Sequence, residues 1–223
     1  MTWEPLLLTF KLAAVTTGIL MLIGTPLAYG LAYGRFRGKP VVEALVSMPL
    51  VLPPTVLGFY FLLAFSPQNL FGQWLNDAIG LRLVFSFTGL VLASVIYSLP
   101  FMVQPLQSGF QGLSNSLREA AQLMGKSRWE TLIHVLLPNM KASVLTGIVL
   151  SFAHTVGEFG VVLMIGGSIP GQTKVASIAI YEQVEAMNYE AANLYSGVLF
   201  AITFFILLLV YTVNGQFLKR RGI

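Results

Sequence analysis

Five long apolar runs leave this chain few ways to fold. They place spans at about 6–33, 41–65, 83–106, 139–165 and 194–215, and roughly 20 apolar residues cross a hydrocarbon core of about 30 Å as a helix. Lipid offers the backbone no hydrogen-bond partner, so only helices or closed barrels span it, and these runs lack the alternation of barrel strands. The reading is an all-α integral membrane protein of five transmembrane helices, one domain over 1–223. Only 10% of residues are charged, against about 25% in an ordinary soluble domain. The first run is too long for a cleaved leader, and Met1-Thr2-Trp3-Glu4-Pro5 before it carries no basic residue.

Lysine and arginine set the orientation. Arg35, Arg37 and Lys39 follow the first span, Arg118, Lys126, Arg128 and Lys141 lie around the third connection, and Lys219, Arg220 and Arg221 follow the last span. The other side holds Lys11, Arg82 and Lys174. The expectation is an N-terminus outside and a C-terminus in the cytoplasm. The net charge of +4 is then a topology signal, and no nucleic-acid partner is inferred from it. Without cysteine there is no disulfide and no thiolate metal site.

The connections differ between the two sides. Ser66–Arg82 and Gly166–Asn193 are expected as outer loops, the first broken by Pro67, Asn69, Gly72, Asn76 and Gly80. Gln107–Asn139 is the largest cytoplasmic segment, and the polar island at 112–138 within it, the coupling region, reads as two short helices. Ser116-Leu117-Arg118-Glu119 fits a capping box, and Leu117, Ala120, Ala121 and Met124 recur at helical spacing. Gly125 is placed to end that helix in a left-handed conformation. A second box follows at Ser127-Arg128-Trp129-Glu130, with Trp129, Leu132, Ile133 and Leu136 as its apolar face and Pro138 as its stop. Pro138 can also open the fourth span. Such an island is a surface connector or a docking knob. In the second reading small Ala120 and Ala121 admit another surface and Gly125 sets the angle between the helices. No internal repeat supports an inverted-repeat carrier.

Glu119-Ala120-Ala121, three residues, Gly125, nine residues, Val135, one residue, Leu137-Pro138 resembles the loop shared by permease subunits of ABC importers, with Val135 in place of the family's usual isoleucine. Pro49 through Gly58 resembles the second span of permeases for tetrahedral oxyanions. Gly157-Glu158-Phe159-Gly160, Gly166, Ile169-Pro170-Gly171, Thr173 and Ala179-Ile180-Tyr181 resemble the molybdate branch of that family. Sulfate permeases tend to have tyrosine at 159 and lack the glycine at 171. The resemblance implies the type I ABC importer permease fold and a bacterial or archaeal cytoplasmic membrane. It implies the transmembrane subunit of a molybdate importer, acting with a second copy of itself, two cytoplasmic ATPase subunits and an extracytoplasmic solute-binding protein. Tungstate or sulfate is the alternative cargo. ATP and magnesium would bind the partner ATPase, with no cofactor or metal in this chain. Coupling to the ATPase falls to Glu119, Ala120, Ala121, Met124, Gly125, Trp129, Leu137 and Pro138. The pathway or gate falls to Pro49, Pro53, Pro54, Thr55, His154, Gly157, Glu158, Phe159 and Gly160.

Several of these positions carry their own physics. Pro49, Pro53 and Pro54 each remove a backbone donor, which gives either a structural kink or a bend that lines the pathway. Glu158 is an acid inside a span, a cost of about 2.5–3.5 kcal/mol at the centre on insertion scales, so a role is the default. His154 lies four residues earlier on the same helical face, where related permeases often carry arginine; it could pair with Glu158, and by itself it reads as a packed, hydrogen-bonded residue rather than a ligand. A fixed negative charge repels an oxyanion, so Glu158 is assigned to ordering the helix or gate ahead of the alternative, direct contact with substrate. Gly166 to Thr173 nearly spells a P-loop, but Gln172 stands where the phosphate-binding lysine belongs and no strand precedes it. Gly30-Leu31-Ala32-Tyr33-Gly34 is a small-xxx-small pattern suited to helix packing. Glu182, Glu185 and Glu190 form a solvated face or meet a solute-binding protein.

Two other classes compete. A self-contained channel or carrier needs a chain of ionisable groups inside the spans, and Lys11, Glu43, His154 and Glu158 are the candidates. A membrane-embedded enzyme would have to be built from His134 and His154, 20 residues apart, with no cysteine and no acid cluster.

Overall fold

A computed structural model describes residues 2–219. Arg220 and Arg221 of the basic tail lie outside the described residues. The first half runs through helices α1 (Glu4–Tyr33), α2 (Lys39–Ser47), a 3-10 turn (Met48–Leu50), α3 (Pro54–Phe65), α4 (Leu70–Ile79) and α5 (Phe87–Gln111). The second half holds α6 (Asn115–Leu123), α7 (Arg128–Thr131), a π-helical turn (Leu132–Leu136), α8 (Leu137–Asn139), α9 (Lys141–Gly157), α10 (Gly160–Gly166), α11 (Ala176–Glu185) and α12 (Tyr189–Lys219). The described residues are all-α, in agreement with the sequence.

Three helices, α1, α5 and α12, are individually long and apolar enough to cross a membrane. Two bent pairs pass the same test only together: α2 with α3, at 110°, and the α7–α8 segment with α9, at 86°. Where one span over 41–65 is expected, the chain therefore breaks. Consecutive prolines are the cause. Leu52 precedes Pro53, and Pro53 precedes Pro54, so both avoid the helical region, and Pro53 takes ψ 137°. Pro54 then starts α3, where its missing N–H costs nothing. The fourth expected span, 139–165, bends at Met140 (φ −118°, ψ 34°) and breaks again between α9 and α10 at Glu158 and Phe159.

Both expected outer loops contain helices. Asn69 and Gly80, read as breakers, are the caps of α4: Asn69 Oδ1 accepts from the Phe71 N–H, and Gly80 ends the helix with φ +68°. Gly72 is packed too tightly for a side chain, since a Cβ there would fall 2.1 Å from the Ser66 carbonyl. Helix α11 is tied to α1 by the Thr9 hydroxyl, which donates to the Pro5 carbonyl at 2.7 Å and accepts from the Ala176 N–H at 2.8 Å.

The bundle centres on α1, α5 and α9, which pack on one another, while α10 lies along α3 and α5. Two large apolar clusters make most of its core among the described residues, beside a small one of Leu6, Ala176 and Tyr195. Of the large pair, one gathers Leu8, Leu12, Leu57, Leu90, Val161, Ile165 and Ile178; the other gathers Leu20, Leu31, Met102, Leu106, Phe110, Leu132 and Leu136. Along α1 and α5 the residues between the clusters include buried Thr16, Thr17, Ser94 and Ser98, and α9 adds Ser151 and Thr155. A polar belt thus crosses an otherwise apolar bundle.

Candidate functional site

A cavity of about 450 Å³ lies at the break between α9 and α10. Its wall includes Pro54 and Thr55 at the start of α3, His154 and Gly157 on α9, and Glu158, Phe159 and Gly160 at the break. Seven of the nine pathway candidates therefore share one cavity. Pro49, in the 3-10 turn, and Pro53, the N-cap of α3, lie on the bend instead. Close packing of α10 on α3 fixes the wall. A Cβ at Gly160 would meet Pro54 Cβ at 2.8 Å, and one at Gly58 would meet Met164 Cβ at 2.8 Å.

His154 and Glu158 do not pair. Helix α9 ends at Gly157 and Glu158 turns extended (ψ 133°), which removes the shared helical face that the pairing assumes. Each finds a serine on α5 instead. The Ser94 hydroxyl donates to Glu158 Oε2 at 2.8 Å, and Ser98 Oγ lies 2.9 Å from His154 Nδ1. Ser94 and Ser98 stand one helical turn apart, matching the spacing of their partners. The Thr155 hydroxyl donates to the Ser151 carbonyl at 2.9 Å, so in its 3.1 Å contact with Ser98 it must accept. Ser98 has then used its only proton, which assigns His154 Nδ1 as the donor to Ser98. Phe101 stacks on the His154 ring at 3.9 Å and Tyr97 flanks it at 4.8 Å.

Glu158 is 4% exposed and its Oε1 has no hydrogen-bond partner among the described residues. Thr16, Thr17 and Ser151 of the belt likewise carry unpartnered hydroxyl oxygens. The Glu158 carbonyl accepts from the Ser177 hydroxyl at 2.7 Å, which ties the break to α11. Sequence reasoning missed Tyr97, Ser94 and Ser98. The one available signal was the matched four-residue spacing of two serines and two ionisable groups on separate apolar runs.

The remaining ionisable candidates form no chain with these. Lys11 sits over the Phe87 ring at 4.8 Å, and Glu43 accepts from Gln107 Nε2 at 2.8 Å and faces Lys39 at 3.9 Å. The P-loop look-alike follows helix α10, and Thr173 staples it: its hydroxyl donates to the Gly166 carbonyl and accepts from the Ile169 N–H. Glu182 is not part of a freely solvated face. Partial burial pushes its carboxyl up, but Lys174 and Ser168 bond to it and hold it net below the usual carboxylate range. Glu185 and Glu190 are exposed.

The polar island sits at the other end of α9. Ser114, not Ser116, caps α6, accepting from the Ser116 N–H at 3.3 Å, so the first capping box is not formed. Helix α6 closes in a Schellman motif: the Gly125 N–H reaches the Gln122 carbonyl and the Lys126 N–H reaches the Ala121 carbonyl, both at 3.0 Å, with Gly125 at φ +74°. The second box forms as read: Glu130 N–H donates to Ser127 Oγ at 3.2 Å, and Ser127 N–H donates to Glu130 Oε2 at 2.8 Å. Pro138 does not stop this helix. A π-helical turn precedes it, with the Leu137 N–H bonded to the Leu132 carbonyl, and helical backbone continues through Asn139.

The apolar faces are divided. Ala121, Leu132 and Leu136 turn inward at 4%, 3% and 0% exposure, so Ala120 alone of the alanine pair is open to approach. Leu123, Met124, Trp129 and Ile133 are left on the surface around Gly125, exposed by 52–89%. Glu119 and Pro138 are exposed and Leu137 is half-buried.

A long apolar bundle with a polar seam, an exposed apolar knob and a right-angle link between them defines a membrane transport subunit. The chain belongs to the family described as binding-protein-dependent transport system inner membrane component, which matches residues 21–221. It is 46% identical over 206 residues to the molybdenum transport system permease protein ModB of Azotobacter vinelandii, covering 92% of this chain and 91% of that one. It is 30% identical over 218 residues to the sulfate transport system permease protein CysT of Escherichia coli K12, covering 98% of this chain and 77% of that one. Among solved structures, the inward-facing MetNI methionine ABC transporter superposes with a TM-score of 0.73 at 15% identity, covering 97% of this chain and 99% of its own. The fold is that of the type I ABC importer permeases.

Proposed function

We propose that this chain is the transmembrane subunit of an ABC importer for molybdate, working as a homodimer with two separate ATPase subunits and an external solute-binding protein. The observation that carries the reading is mechanical. An exposed apolar knob around Gly125 is joined through the 86° bend at Met140 to the helix whose far end walls the cavity at Glu158. ATP and magnesium bind the partner, whose closure moves the knob. The bent pair α2–α3 makes one membrane span and α9 with α10 another, giving five, with the N-terminus outside and the basic tail in the cytoplasm, while α7 and α8 stay on the cytoplasmic side as part of the knob. The energy is the difference in nucleotide affinity between the two states, as any population shift requires.

Molybdate is preferred because the ModB relative matches at higher identity than the sulfate relative. The second reading keeps the architecture and changes the cargo to tungstate or sulfate, and the CysT relatives favour it. Radiolabelled molybdate uptake into proteoliposomes tests both. Uptake only with ATPase, binding protein and ATP present, competed by tungstate and not by sulfate, supports the first. Uptake of sulfate selects the second. Uptake by this chain alone overturns the importer reading in favour of a carrier.

A further inference from the structure

A second cavity, of about 350 Å³, lies where the end of α1 meets the polar island, far along the chain from the pathway residues. Two arginines, Arg118 on α6 and Arg128 at the start of α7, line it together with Gln122. No acidic residue is among its lining residues. Among the described residues neither guanidinium has a carboxylate partner, since the ion pairs there are Lys39–Glu43 and Lys174–Glu182. Arg118 is held by stacking, its Cζ 4.5 Å from the Tyr33 ring centroid. Tyr33 is itself fixed: its hydroxyl donates to the Phe110 carbonyl at 2.7 Å and its ring meets Tyr29 at 5.2 Å. Arg118 is thus oriented before any ligand arrives, Arg128 adds an exposed second guanidinium, and a planar guanidinium suits an oxygen-rich anion.

The floor is made by glycine. Gly34 tolerates no side chain, because a Cβ would stand 2.3 Å from the Gly30 carbonyl, whereas at Gly30 nothing lies within 4 Å. Helix α1 meets the membrane-spanning criteria, and tyrosines near such a helix end mark the level of the lipid headgroups. From this geometry we infer that the cavity formed by Gly30, Tyr33, Arg118, Gln122 and Arg128 is a binding site for a phosphate-class anion, either an anionic lipid headgroup or a free oxyanion. The inference does not depend on which anion the protein transports.

Native mass spectrometry and thermal melting of the full chain in neutral detergent test it. The probes are dihexanoyl phosphatidylglycerol and, separately, inorganic phosphate at constant ionic strength, with dihexanoyl phosphatidylcholine as the zwitterionic control. At least one anionic probe is expected to bind. Arg118→Gln with Arg128→Gln should weaken it by about 30-fold, equivalent to about 1 kcal/mol for each of two basic residues. Gly30→Leu, which fills the cavity and keeps both charges, should weaken it as much. Arg35→Gln with Arg37→Gln, on the neighbouring turn outside the cavity, should not. Preference for phosphatidylglycerol identifies the headgroup, and preference for phosphate identifies the free anion. The inference is overturned if neither anionic probe binds, if phosphatidylcholine binds equally well, if Gly30→Leu binds as the unmodified protein does, or if losing Arg35 and Arg37 is as damaging as losing the lining pair.

Discussion

Glu158 carries the sharpest local contrast in the protein: a buried carboxyl with one oxygen bonded to Ser94 and the other unpartnered at a cavity wall. Ser94→Ala removes the one side-chain donor and should destabilise the protein by about 1–3 kcal/mol, the cost of leaving a buried polar group unmade, measured as a lower melting temperature in detergent. Glu158→Gln keeps the shape and an acceptor for Ser94, so it should melt close to the unmodified protein, whereas Glu158→Ala should lose both melting temperature and uptake. Equal melting of Ser94→Ala and the unmodified protein would remove the bond from the account. The acid was legible in the sequence because a carboxylate inside an apolar run is rare. Its partner was not, because Ser94 lies 64 residues away and a serine in a membrane helix carries no distinguishing mark. The pairing with His154 that the spacing allowed does not form, for a reason equally hidden: periodicity assumes a continuous helix, and α9 stops one residue short of Glu158.

Short elements were read better, because their signals are local. Gly125 and the Ser127–Glu130 box stand as the sequence describes them; the first cap moved to Ser114 because Ser114-Asn115-Ser116 offers more than one capping side chain. Gly125 has open space around its α-carbon but a φ of +74°, so Gly125→Ala pays backbone strain alone, about 1–2 kcal/mol. Gly125→Pro cannot adopt that φ at all and should leave the protein in the membrane while uptake is lost and ATP hydrolysis continues. Normal uptake by that variant sinks the coupling assignment. The box has a pH signature. Hydrogen bonds from the Ser127 backbone and side chain hold the Glu130 carboxyl below its ordinary range. A depressed folded value means stabilisation present above the unfolded pKa and lost as pH falls through the folded one. Hydrogen-exchange protection of the Ser127 amide should therefore persist at neutral pH and disappear in acid below the usual carboxylate range, and Glu130→Gln should remove that dependence.

Across the whole molecule, the five long apolar runs set the all-α membrane class and the prolines of the second run announced its kink, while the size of that kink and the turn at Met140 were not legible. Hydropathy measures how apolar a segment is and says nothing about whether its axis turns, so the 110° and 86° bends leave no trace in it. The chain has no cysteine, so an introduced thiol is the only one it carries. Trp129→Cys, exposed on the knob, should cross-link to the ATPase subunit, and Leu136→Cys, fully buried, should not; the reverse result would place the contact elsewhere. The bend at Met140 also makes the island and α9 a bell crank. Met140 is its fulcrum, buried in the second apolar cluster against Gly109 of α5, where no Cβ fits. The short arm, Arg128–Asn139, is about 18 Å long at 1.5 Å per residue, and the long arm, the 17 residues of α9, about 25 Å. A push across the membrane at Trp129 would then reach the cavity as sideways travel, turned through nearly a right angle and lengthened by about 1.4-fold, the ratio of those two arms.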